Sequence, residues 1–365
     1  MNFRPFILLF ASMIFIAGCS PSSRHVIKKA ETLAEVKEYD KALNLLRDEI
    51  RANQKDPRLQ EAYITILLQM GRLDVAQVAC AEITKKFPKR HYLTGALSHS
   101  DPKVRMGAAR LAGLMRDAES IGRLQKLIND RDVEVRRAAI AGLGEMKATQ
   151  SGAGLRRALS DKNWSVRSDA IDALRKMGDP SVIPDLIKLV GDEEAYVRHT
   201  ASRAICELTT PQQKPELLKA LSSSHQPTQI TAAMALAKLQ SPEGLPILKN
   251  CLDDKDWEIR RNALSALGQL QNQSVIQDVR KKLGDGDARI RMEAIATMVR
   301  LRDTNGLPSL ETVVKNDKEN REIRIGALMA ARELARLAQA TPPQPAPATP
   351  TAPTKPAKPA KPAKR

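Results

Sequence analysis

The stretch "DWEIRRNALSALGQL", residues 256–270, has a near copy in "NWSVRSDAIDALRKM", residues 163–177. Trp, Arg, two Ala and one Leu keep their places across an offset of 93 residues, three times 31. A β-branched residue followed by Arg marks each occurrence: Val104-Arg105, Val135-Arg136, Val166-Arg167, Val197-Arg198, Ile259-Arg260, Ile290-Arg291 and Ile323-Arg324. The steps are 31 residues, apart from one of 62 and a last one of 33. The double step hides a degenerate copy at Thr228-Gln229, which makes eight units. A fixed period of this length is the signature of a stacked array.

Four residues after every marker stands an alanine, from Ala108 to Ala327, and eleven residues after it stands Met or Leu. Offsets 0, 4, 8 and 11 share one helix face. The invariant alanine implies close approach of another helix. Seven residues before the marker an apolar residue such as Ile128, Leu159 or Val190 closes a preceding helix. Pro184, Pro215, Pro246 and Pro308 stand near the start of that helix, where a missing N–H is harmless. Each unit therefore reads as two helices and a short turn. The pattern resembles the HEAT repeat, in the short form associated with phycobilisome lyases, over residues 91–338. The resemblance implies an all-α, right-handed α-solenoid. It implies little about activity, because one fold serves many.

In five units an Asp precedes the marker Arg by six residues: Asp130/Arg136, Asp161/Arg167, Asp192/Arg198, Asp254/Arg260 and Asp285/Arg291. One reading is a stripe of arginines for a polyanion. The other is a structural ladder, with the Asp in a turn within reach of a neighbouring unit. An Arg in the first turn of a helix faces the unfavourable end of the dipole and needs a partner. In the degenerate unit both members are gone, as Ser223 and Gln229, which favours the ladder. Trp164 and Trp257, two residues before their markers, are expected to lid the gap between helices.

Residues 25–90 follow another period. "EYDKALNLL" (38–46) and "RLDVAQVAC" (72–80) place Ala42 and Ala76 34 residues apart, with Gly71 at a helix-to-helix turn. This resembles tetratricopeptide repeats, without their usual Trp. Such a segment can cap the stack, since terminal units must shield apolar faces.

The ends differ from the middle. "MNFRPFILLFASMIFIAGCS" carries Arg4, then an apolar run too short to span a bilayer, then Ile16-Ala17-Gly18-Cys19. It resembles a bacterial lipoprotein signal. The resemblance implies removal of residues 1–18, a lipid on Cys19, and a tether over 19–24. Ser20 after it is similar to the pattern sent to the outer membrane. Residues 339–365 form a Pro/Ala/Lys-rich tail; the last 25 residues hold nine prolines, which forbid helix and bury no core. Lys355, Lys358, Lys361, Lys364 and Arg365 make the tail cationic, either as a solvated spacer or as a grip on an acidic polymer of the envelope. No nucleic acid is expected for a secreted chain.

The chain carries a net charge of +17; setting aside Arg4 and the five charges of the tail leaves +11 on the remainder. Cys80, Cys206 and Cys251 make no disulfide framework and read as small apolar residues. No two histidines stand at i, i+4 spacing, and no His-Glu pair, phosphate loop or nucleophile elbow occurs. Neither enzymatic activity nor a cofactor is expected. What remains is a surface. The outward positions of the second helices supply Arg110, Arg137, Asp172, His199, Arg203 and Arg261, whose mixed signs suit a protein partner on a concave face better than a polyanion. The expectation is a lipid-anchored envelope scaffold, with polyanion binding through the tail as the alternative.

Overall fold

The computed structural model describes residues 21–54, 56–86 and 92–340. Cys19 and the tail lysines lie outside the described residues. Among those described the chain is all-α, with nineteen helices and no strand, and the solenoid class read from the period holds. No described helix is long and apolar enough to cross a membrane. Contacts divide the chain into residues 1–235 and 236–365, and the division falls inside one helix, Gln226–Lys238.

The first unit opens with α1 (Pro21–Glu35), α2 (Tyr39–Ala52), α3 (Pro57–Gln69) and α4 (Leu73–Lys86). These pack as successive antiparallel hairpins around Ala42, Leu46, Leu59 and Ala76, all 0 % exposed. Within the stretch read as a tether, the described residues from Pro21 onward already belong to α1, as suits Pro at a first helical position. Gly71 joins α3 to α4 with φ +76°, a conformation that costs side-chain-bearing residues free energy.

The repeats follow: α5 (Pro102–Met115), then α6 (Ile121–Leu127) with α7 (Val133–Glu145), α8 (Gly152–Ala158) with α9 (Trp164–Met177), α10 (Ile183–Leu189) with α11 (Ala195–Leu208), and α12 (Lys214–Leu221) with α13 (Gln226–Lys238). The second unit continues with α14 (Leu245–Cys251) and α15 (Trp257–Leu270), α16 (Ile276–Lys281) and α17 (Ala288–Arg300), and α18 (Leu307–Lys315) and α19 (Arg321–Ala340). The first helix of each pair is short and is entered through one 3-10 turn, such as Ala118–Ser120 or Pro180–Val182. The first repeat departs from the expected hairpin: between α4 and α5 the described residues hold only the 3-10 turn Ala96–Ser98.

The periodic residues form the core. The alanine four after each marker is 0 % exposed in seven repeats, and Ala232 is 2 % exposed. Val104, Val135, Val166 and Val197 are fully buried with them. Burying each such side chain contributes on the order of 1.5–3 kcal/mol. Small residues let successive second helices touch. A Cβ on Gly113 would lie 2.6 Å from the Cα of Gly142, and one on Gly144 would lie 2.8 Å from the Cα of Ala173.

Two further rows recur that the period search did not isolate. Three residues before the marker, Asp101, Asp132, Asn163, Asp256 and Asp287 cap the second helix by accepting a backbone N–H with the side chain. Twelve residues after the marker the helix ends in a left-handed residue at Arg116, Lys147, Gly178, Gln240, Gln271 and Arg302. These caps fix where each helix stops, and so hold the 31-residue period to one geometry.

Candidate functional site

The aspartate–arginine row is built from the turns between helices. In the first unit the Arg105 guanidinium grips both carboxylate oxygens of Asp130 at 2.8 and 2.9 Å. Arg136 does the same to Asp161 at 2.9 and 3.0 Å, and Arg167 to Asp192 at 2.8 and 2.8 Å. In the second unit Arg260 holds Asp285 at 3.1 and 3.1 Å. Each arginine thus reaches the Asp 25 residues ahead, in the following repeat. Its remaining nitrogen donates to the backbone carbonyl of the Asp six residues before it: Arg136 to Asp130 at 2.9 Å, Arg167 to Asp161 at 2.8 Å, Arg260 to Asp254 at 2.7 Å. The six-residue pair is therefore joined through a carbonyl, and the carboxylate bridge runs between repeats. Each Asp also accepts the N–H of the residue two ahead, as Asp161 does from Asn163 at 2.8 Å.

Burial and pairing oppose each other at these carboxylates. Burial pushes Asp130 and Asp192 up, but bonds from Arg105 and Arg167, with backbone N–H groups, hold both below the usual value. The row has one open end in the first unit. Arg198 donates to the Asp192 and Glu193 carbonyls at 2.8 and 2.9 Å, and the residue 25 ahead is Ser223, which offers no carboxylate. In the stretched last repeat Glu319 replaces the Asp and holds Arg291 at 2.7 and 2.7 Å. Arg105 and Glu319 escape a search for Asp and Arg six apart, because the true partners stand 25 and 28 residues apart.

The outward residues of the second helices form a separate face in the first unit. Arg137 meets Asp169 at 2.8 Å and Glu134 at 3.1 Å. Asp172 takes Arg175 at 3.1 Å and Arg203 at 3.2 Å, and Arg175 also meets Glu207 at 2.8 Å. Burial raises Asp169 above the usual carboxylate value despite the pull of Arg137. Arg110 sits 4.0 Å from Glu134, and His199 is exposed. The basic residues of this face are thus largely neutralised across neighbouring helices. Trp164, the first residue of α9, and Tyr196, the second of α11, meet edge to face, centroids 5.8 Å apart. They remain 43 % and 58 % exposed. Trp164 therefore covers no helix gap; it makes an exposed aromatic ridge with its neighbour. Trp257, in the second unit, lies under Arg289 at 3.4 Å and Arg261 at 5.1 Å. That contact occupies Arg261 by cation–π attraction.

A groove of about 550 Å³ opens on α1 and α3, bounded by Arg24, Lys28, Glu31, Arg58, Glu61 and His99 among others. Glu61 crosses from α3 to accept the N–H of Gly95. No spacing in the sequence announces this groove, since its walls come from segments far apart in the chain. Among the described residues no cluster of three or more His, Cys, Asp or Glu could hold a metal. Burial pushes the Cys80 thiol up to about 12 and that of Cys251 to about 11, while Cys206 is half-buried.

The HEAT-repeat family profile matches residues 89–159, 122–195, 183–261 and 249–332, so the chain belongs to the HEAT-repeat proteins. Among solved structures the chain is similar to the Kap95:Nup1 complex, at 14 % identity and TM-score 0.58, covering 87 % of this chain and 51 % of that one. It is similar to Kap95p bound to RanGDP at 13 % identity and TM-score 0.56, covering 86 % and 51 %. An engineered protein matches at 19 % identity and TM-score 0.47, covering 87 % and 96 %. At these identities the likeness shows the fold alone. No curated protein sequence matches the chain.

Proposed function

We propose that the chain is a lipid-anchored scaffold of the bacterial cell envelope that binds a protein partner on a concave face lined by its second helices. One observation carries the reading: the second helices α9 and α11 carry both a row of paired charges and two exposed, mutually oriented aromatics, Trp164 and Tyr196. Trp, Tyr and Arg are the side chains that most often anchor protein interfaces, and neutralised charges lower the cost of desolvating such a surface. A face for a polyanion needs unpaired cations, and here Arg137, Arg175 and Arg203 each hold an acid of this chain. The two similar Kap95 structures are complexes with other proteins, RanGDP and Nup1, which agrees with a binding role for this fold. The proposal assigns no catalytic step and no cofactor. The membrane part rests on Ile16-Ala17-Gly18-Cys19, and periplasm-facing attachment to the outer membrane rests on Ser20.

Crosslinking in cells followed by pull-down tests both parts. Trp164→Ala with Tyr196→Ala is expected to weaken partner capture at least tenfold, since anchoring aromatics are worth ~2 kcal/mol or more each. Cys19→Ala is expected to move the protein out of the membrane fraction. Capture that survives the aromatic changes but collapses as salt rises assigns binding to an acidic polymer instead.

A further inference from the structure

The last helix leaves open a face that inner repeats cover. Five residues after the marker, Ala109, Ile140, Ile171, Leu264 and Ile295 are at most 3 % exposed. The following second helix lies on this face: Gly142 of α7 packs on the Ala109 carbonyl, and Thr297 of α17 donates to the Leu264 carbonyl at 3.2 Å. The residue at this place in α19 is Leu328, and it is 38 % exposed. Ile325 and Met329 extend the patch at 42 % and 65 %. A stacked array needs a cover on such an end. The charges around the patch are also unused. Arg321, Glu322 and Arg332 are exposed and, among the described residues, hold no ion-pair partner. Glu322, Ile325, Met329 and Arg332 are spaced three, four and three apart, so they line one stripe of α19 with Leu328 at its edge.

We infer that a second copy of this chain covers the patch, its α19 lying antiparallel on this one about a two-fold axis at Ala327. Charge complementarity selects this occupant. In a two-fold interface the same surface serves both copies, so the stripe must complement itself. Ile325 and Met329 stand two residues either side of Ala327, and Glu322 and Arg332 stand five either side. The antiparallel pairing therefore sets Ile325 against Met329 of the second copy, twice, and closes each end with Glu322 against Arg332. Arg321 and Glu333, six residues either side, meet beside these pairs. Other registers do not complement. A parallel pairing sets Glu322 on Glu322 and Arg332 on Arg332. An axis at Met329 sets Ile325 against Glu333, and one between Ala330 and Ala331 sets it against Arg336. An apolar centre inside a charged rim is the composition of a protein interface. The span 321–333 is as long as the 13-residue inner helices α7 and α17, so the copy covers as much of α19 as a further repeat would.

The test co-expresses two differently tagged copies of the full chain and captures one through its tag. Parent copies are expected to come down together. Glu322→Arg in both copies sets Arg against Arg at both ends, and Arg332→Glu in both sets Glu against Glu. Each is expected to cut capture of the second copy at least about tenfold, since like charges facing across an interface are strongly unfavourable. A Glu322→Arg copy expressed with an Arg332→Glu copy faces Arg with Glu at both ends, and capture should return to within about twofold of the parent. Met329→Glu in both copies buries a charge against Ile325 and should abolish capture. Its helical circular dichroism should match the parent, because Met329 is 65 % exposed in the single chain. Parent copies that do not come down together overturn the inference. So do single-charge variants captured as well as the parent, or a mixed pair captured no better than either variant alone. Capture that survives Met329→Glu also overturns it and assigns self-association to another face.

Discussion

Replacing Asp192 by alanine is the sharpest test of what joins one repeat to the next. The Asp192 and Arg167 side chains are 7 % and 8 % exposed, and two bonds of 2.8 Å connect them. Removing the carboxylate strands a guanidinium that solvent cannot reach, a loss of about 3–5 kcal/mol. The bond from the Glu194 N–H, 2.9 Å, goes as well, which adds about 1 kcal/mol. Glu193, 3.4 Å from Arg167 but 80 % exposed, recovers part of this. An exposed pair of that kind is worth at most about 1 kcal/mol, so the expected net cost is about 3–5 kcal/mol. Arg198→Ala supplies an internal control, because that arginine donates to two turn carbonyls and has no carboxylate to strand. It should cost about 1–2 kcal/mol. Pairing Asp192→Leu with Arg167→Met removes both charges and should return stability to within about 1 kcal/mol of the parent. Urea unfolding followed by far-UV circular dichroism measures the totals, and hydrogen exchange over α9 and α11 locates the loss, since stacked repeats open at individual interfaces. An Asp192→Ala protein within about 0.5 kcal/mol of the parent, or a double variant as unstable as the worse single one, refutes the ladder.

Acid should act through the same row. The folded values of Asp130 and Asp192 lie below their ordinary 3.8, so their contribution is complete above that pH and is lost as pH falls through the depressed folded values. The stability difference between the parent and the Arg167→Met, Asp192→Leu protein should stay constant from pH 7 to 5 and change only below about 4. Gly113→Ala forces a methyl to 2.6 Å from the Gly142 backbone and should cost about 1–3 kcal/mol, whereas Gly122→Ala, with open space, should stabilise by a few tenths; unfolding midpoints compare them. Thiol labelling at pH 8 should modify Cys206 well before Cys80 and Cys251, whose thiols are buried and held at about 12 and 11. Fast labelling of Cys80 in the native protein contradicts the packing of α4.

The helical hairpins were legible because the 31-residue period imposes the same demand at every turn. The marker, the alanine after it and the Met or Leu at the helix end must be apolar in nearly every copy, as Val135, Ala139 and Met146 show. The caps were present in the letters as well, at Asp132 and Asn163, but a cap reads as any surface Asp or Asn until the helix start is known. Which groups meet across repeats was decided by tertiary structure alone. The sequence put each Asp in a turn within reach of a neighbouring unit but marked it only by its spacing to the Arg six ahead; the packing of turns brings Arg136 to Asp161 and Arg167 to Asp192. The same holds for the Trp164–Tyr196 ridge, the groove on α1 and α3, and the open end at Leu328. Periodicity encodes which side of a helix is buried, because burial depends on one helix's own face. Contacts between elements depend on the rotation and rise from one hairpin to the next, which only the packed side chains determine.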